Sequence, residues 1–237
     1  AYEILSSDWS STCALPIYDA CYPTIVTLGQ IISYLKSGEV DLNKVGIFMS
    51  QTGGGCRASN YVALLRKALK DMGMEQIPVI SVNMAGLEKN PGFKISKGII
   101  KRGMMAVMYG DLLMRVLYAT RPYEKVPGSA NALYEECCDM IRDNIVSGDM
   151  KEYKRLMKVI VEKFDQLPLL DIKKPRVGVV GEILVKYHPN ANNDIVNIIE
   201  SEGGEAVVLD LADFFLYGMY SKEFNYRHLS GTYQAMM

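Results

Sequence analysis

Three consecutive glycines, Gly53-Gly54-Gly55, stand between a short apolar run and an amphipathic segment. The run, Val45-Gly46-Ile47-Phe48-Met49, has the unbroken hydrophobicity of a buried parallel strand. After the glycines, Tyr61, Leu64, Leu65, Ala68, Leu69 and Met72 recur at helical spacing, and Gly73 stops the pattern. Ile77-Pro78-Val79-Ile80-Ser81-Val82 reads as the next strand, with Pro78 where no ladder donor is needed. Strand, glycine turn, helix and strand make a right-handed crossover, which commits this stretch to a parallel sheet. A helix over 23–37 precedes it. Ile25, Leu28, Ile31, Ile32 and Leu35 share one face, Pro23 suits its first turn and Gly38 its end.

The middle of the chain carries no strand pattern. Helical periodicity runs through 99–118, 130–146 and 150–167. The turn-rich stretch from Arg121 to Ser129 separates the first two, and Ser129 is placed to cap the second. A second α/β pattern then begins. Val177-Gly178-Val179-Val180-Gly181 reads as a strand, 182–193 as a loop with His188 solvated before Pro189, and Asn192 and Asn193 as caps of a helix carrying Ile195, Val196, Ile198 and Ile199. Gly203-Gly204 ends that helix, and Ala206-Val207-Val208-Leu209 is the following strand. The expected fold is α/β, with two Rossmann-like parallel-sheet units over 1–95 and 171–237 joined by a helical segment over 96–170. The sequence starts at Ala1, and the aromatic-rich finish lacks a terminal cap, so a piece of a longer chain is expected.

Charge excludes some functions. There are 26 basic and 27 acidic side chains, a net charge of -1, so no positive excess remains to neutralise phosphates and no nucleic-acid partner is expected. The most apolar helical stretch is interrupted by Lys101, Arg102, Asp111 and Arg115, which argues against a membrane span, and no signal peptide is recognisable. Five cysteines cannot all pair internally and show no disulfide framework, so reduced thiols in a cytoplasmic setting are expected.

The glycine turn could present backbone N–H groups and a helix N-terminus to a phosphate, a thiolate or a cluster sulfide. It is neither a P-loop nor a dinucleotide fingerprint, because Cys56 and Arg57 follow the third glycine. On the glycines alone, a tight loop with no ligand is the better account. Cys56 would begin a helix beside Arg57 at the C-terminal end of a strand, where both neighbours favour the thiolate and where such sheets bind ligands. Cys21, in Asp19-Ala20-Cys21-Tyr22-Pro23, begins the preceding helix, whose start lies on the same side of the sheet. The two thiols can meet there, or each can be an ordinary buried cysteine. Cys13 has no assigned role. Cys137 and Cys138 are adjacent on a helix and point about 100° apart, so core packing suits one of them better than a shared site. There is no Cys-x-x-Cys, and only His188 and His228 are available for a histidine site. Glu182 follows the strand ending at Gly181, where it could orient a substrate or cap the next turn.

Asp19–Pro23, Gln51–Tyr61, Ile77–Ser81 and Val179–Lys186 together resemble the 2-hydroxyacyl-CoA dehydratase superfamily. Within it the chain is similar to the branch described as acyl-CoA dehydratase activase-related or CoA-substrate-specific enzyme activase-related. The resemblance runs from about Asp19 to Tyr233, and the blocks around Cys21 and Cys56 are its specific part. It implies an iron–sulfur protein in which Cys21 and Cys56 ligate a [4Fe–4S] cluster, with Gly53, Gly54, Gly55, Arg57 and Glu182 about the cofactor. In the family a third cysteine comes from a later Cys-Leu-Pro-like segment, to which no residue here corresponds. The implied activity is a lyase reaction, dehydration of an acyl-CoA after one-electron activation by a separate ATP-dependent activase or second subunit. Two other readings stand beside it: a non-catalytic electron-relay or binding module for a partner enzyme, and a plain α/β ligand-binding domain.

Overall fold

The computed structural model describes residues 21–51, 60–83 and 96–229. Most of them are helical, with two small parallel two-stranded sheets, an α/β arrangement. The chain divides into two compact units, Ala1–Lys94 and Ile95–Met237. The expected segments 96–170 and 171–237 thus share one unit.

In the first unit, helix α1 spans Tyr22–Lys36, strand β1 Ile47–Gln51, helix α2 Tyr61–Asp71 and strand β2 Val79–Asn83. The strands pair in parallel from Ile47 opposite Val79 to Gln51 opposite Asn83. Pro78 sits just before β2, and its carbonyl accepts from Ile47 N at 2.8 Å. Missing its own N–H, proline costs the ladder nothing there. Both helices contribute to one core. Leu28, Ile32 and Leu35 of α1 meet Val62, Leu65 and Leu69 of α2 with Ile47, Met49 and Val79 of the strands. Phe48, between Ile47 and Met49, is exposed. The expectation of a strand buried on both faces is corrected here, because β1 alternates as a one-sided strand does.

The second unit opens with helix α3, Lys97–Thr120, started by the Ser96 hydroxyl accepting from Ile99 N. A 3-10 turn, Arg121–Tyr123, leads to helix α4, Ser129–Ser147, and helix α5, Met150–Asp165. Tyr109, Leu113, Cys137, Ile141, Leu156, Ile160 and Phe164 form the core between these three helices. The Tyr109 hydroxyl donates to Asn144 Oδ1 at 2.9 Å, and Asn144 Nδ2 donates to the Asp149 carbonyl, so the buried polar atoms are satisfied. Ser129 is not the cap of α4. The Glu124 carboxylate caps it instead, accepting from Gly128 N and Ala130 N at 2.6 and 2.8 Å. A charged acceptor reaching both orphan donors from outside the helix outcompetes a hydroxyl on its first residue.

Strand β3, Arg176–Val179, pairs in parallel with β4, Glu205–Val208. Between them lie three short helices: α6, Ile183–Tyr187; α7, Pro189–Asn192; and α8, Ile195–Ser201. The expected loop over 182–193 is therefore corrected to two helical turns. They form because Glu182 and Pro189 each supply a helix start, the first by its side chain and the second by its fixed φ. Helix α9, Leu211–His228, follows β4. It is capped from far away. Asp111, buried on α3, accepts from Leu211 N and Ala212 N at 2.7 and 2.8 Å. One turn further along α3, Arg115 pairs with Asp210.

Asp111→Ala strips two donors of their buried acceptor and should destabilise the protein by about 1–3 kcal/mol in urea unfolding. Asp111→Asn, which keeps one oxygen, should lose less.

Candidate functional site

Cys21 is the N-cap residue of α1. Its carbonyl accepts from Thr24 N and Ile25 N, which closes the first turn, and its side chain makes no cap bond. The thiol is half-buried and reduced. Its Sγ lies 2.9 Å from Thr24 Oγ1 and 3.9 Å from the Tyr61 hydroxyl. Tyr61 is the first residue of α2, so a side chain from the start of that helix reaches this sulfur. The partial positive charge at the N-terminus of α1 favours an anion at such a point. Gly53, Gly54, Gly55, Cys56 and Arg57 themselves lie outside the described residues, as does Cys13.

Cys137 and Cys138 belong to a different setting. Cys137 is completely buried in the core of the three long helices, and burial pushes its thiol up to about 11. A protonated, enclosed sulfur suits packing and not ligation. Cys138 is half-buried beside the Tyr134 hydroxyl. Glu182 Oε2 accepts from Leu184 N at 2.9 Å and from Val185 N at 3.4 Å, the capping arrangement that its position in the sequence left open. His188 is not a solvated loop residue. It is half-buried between α6 and α7, and its buried Nδ1 has no hydrogen-bond partner among the described residues. Among the described residues no three His, Cys, Asp or Glu side chains gather to hold a metal ion, and no helix is long and apolar enough to cross a membrane.

A second place with the shape of a site lies within the second unit. A cleft of about 300 Å³ opens where β3 and β4 end, lined by Tyr118, Tyr134, Lys186, Tyr187, Asn197 and Val208 among others. This is the edge of a parallel sheet where ligands bind. Arg121 also borders it. Its guanidinium holds Glu200 through two parallel bonds of 2.7 and 2.9 Å, reaches Asn197 at 3.1 Å and lies over the Tyr118 ring. Tyr187 donates to the Leu209 carbonyl, and Lys186 Nζ sits 4.9 Å from the Tyr187 ring centre. Lys186 makes no ion pair among the described residues. Asp194, on the rim, follows Asn193 in a run of two non-glycine residues with φ of 57° and 55°. That left-handed pair is costly for L residues and is tolerated best by Asn and Asp. None of these residues has a local motif. The ends of the predicted strands were their only signal.

No family model, no curated protein and no solved structure matches the chain.

The buried thiol of Cys137 gives an alkaline signature. The unfolded thiol ionises near its ordinary 9.0, while the folded one holds its proton to about 11. Stability from this group is complete below pH 9 and is lost as pH rises through 11. The urea midpoint should fall across that window. Cys137→Ala should flatten the fall while lowering the midpoint at neutral pH.

Proposed function

We propose that this chain is a portion of an iron–sulfur protein related to the 2-hydroxyacyl-CoA dehydratases, with a cytoplasmic location and Cys21 and Cys56 as thiolate ligands. Its two parallel strand pairs would then belong to two Rossmann-like units. The observation that supports this reading is the setting of Cys21. It is a reduced, half-buried thiol at the start of α1, within reach of the Tyr61 hydroxyl from the start of α2. These properties fit a cluster ligand. Cys137 does not fit one. The Thr24 and Tyr61 hydroxyls are near enough to Cys21 Sγ to hydrogen-bond it, which is how neighbouring groups adjust a cluster's potential. When bound, the cluster supplies one-electron chemistry. The residues of this chain would hold it, and the glycine segment would bring backbone donors close to its sulfides.

A second reading has its own observation. The cleft at the ends of β3 and β4 suits a plain ligand-binding α/β domain, without any role for cysteine.

Purified without oxygen, the full chain should be brown and carry iron and acid-labile sulfide, and Cys21→Ser should lose most of both. Colourless, iron-free protein, or a Cys21→Ser variant with undiminished iron, would overturn the assignment. Dehydration of 2-hydroxyacyl-CoA thioesters by the iron-loaded protein with an activase and reductant separates an enzyme from an electron relay.

A further inference from the structure

Among the described residues, helix α9 is held by side-chain hydrogen bonds from elsewhere in the fold at its start. Leu211 and Ala212 donate to Asp111, and from Asp213 to Tyr220 every side chain is exposed. Apart from Asp213, those side chains are not the charged ones that suit water. Tyr217 is 70% exposed, Tyr220 68%, and Leu216, Met219 and Phe224 are exposed with them. A helix this apolar around its circumference is normally buried, and a contiguous exposed patch of this kind marks an interaction surface.

The order of residues on one face says what fits it. Asp213, Tyr217, Tyr220, Phe224 and Arg227 follow the four- and three-residue steps of a heptad seam. At 100° per residue they fall within an arc of about 80°. Three aromatic rings form the middle of the seam, an acid its N-terminal end and a base its C-terminal end. Tyr220 lies seven residues from each charge. A copy of the same helix laid antiparallel, with a two-fold axis at Tyr220, brings each Asp213 against the other copy's Arg227. It also sets Tyr217 and Phe224 around the axis. Arg227 already holds Glu223 in an exposed pair, but its five donors leave room for a second carboxylate. A groove of about 470 Å³ borders the seam between Tyr220 and Arg227, open to a ring from the other copy. Antiparallel packing also sets the two helix dipoles head to tail.

We propose that the exposed face of α9 is an isologous dimer interface, its occupant a second copy of this chain. The proposal is independent of any iron–sulfur cluster.

Analytical ultracentrifugation of the full chain over a concentration series tests it. The parent chain should sediment at twice 26.5 kDa as concentration rises. Tyr220→Glu, which sets two carboxylates together at the axis, should remain a monomer with unchanged far-UV circular dichroism. Asp213→Arg should weaken the dimer about tenfold or more, because each Arg227 then faces a like charge. Adding Arg227→Asp to Asp213→Arg should restore it. A parent chain that stays monomeric, or forms larger assemblies, would overturn the proposal. So would a dimer that survives Tyr220→Glu, or a double variant no tighter than Asp213→Arg alone.

Discussion

The second unit depends on one guanidinium. Arg121 leaves the end of the long helix α3 and binds Glu200 of α8 with both arms of its fork, while Asn131 of α4 and Asn197 of α8 take two more of its donors. The Arg121 and Glu200 side chains are largely buried, so neither is tolerated there without the other. Removing one partner leaves a largely buried charge unpaired, which is destabilising. The value of such a pair lies in geometry. A planar fork accepts a carboxylate in one orientation, so α8, and the β3–β4 pair beside it, have one way to sit on the helical layer. Tyr123 adds to this by donating to Glu205 on β4, which Arg176 on β3 also binds. Arg121, Asn131 and Asn197 also line the cleft at the strand ends, so its shape follows in part from the same constraint.

Sulfur is divided between two environments in the same way. Cys21 stands at the start of α1, against hydroxyls and half-buried, while Cys137 is enclosed by hydrocarbon. The same atom is a polar group among hydroxyls in one place and a methyl-like filler in the other. The first few ångströms around it decide which.

The helices were legible because their apolar residues recur at three and four, as in Leu28, Ile32 and Leu35 or Leu156, Ile160 and Phe164. The strand pairs were legible because the crossover rule needs only short apolar runs and glycine punctuation. What escaped was settled by residues distant in the chain or by competition between neighbours. Phe48 sits in an apolar run, yet which strand faces are covered depends on where α1 and α2 lie. Ser129 resembles a cap, but Glu124 has the longer reach and the stronger acceptor. The turns over 183–192 are too short for any periodicity, and the cleft residues Tyr118, Tyr134 and Tyr187 come from three elements with no common motif. At the cysteines the sequence named Cys21 but not Thr24 and Tyr61, whose hydroxyls turn a thiol at a helix start into a hydrogen-bonded group.

The cap of α9 has a temporal side. Its first donors are satisfied by a carboxylate one hundred positions earlier, not by a local side chain. Closing so large a loop carries an entropic cost that only a formed partner can offset. During synthesis α3 leaves the ribosome first, and its Asp111 has no partner on α9 until Leu211 arrives. The start of α9 is therefore a late event in assembly, completed on a scaffold that already exists.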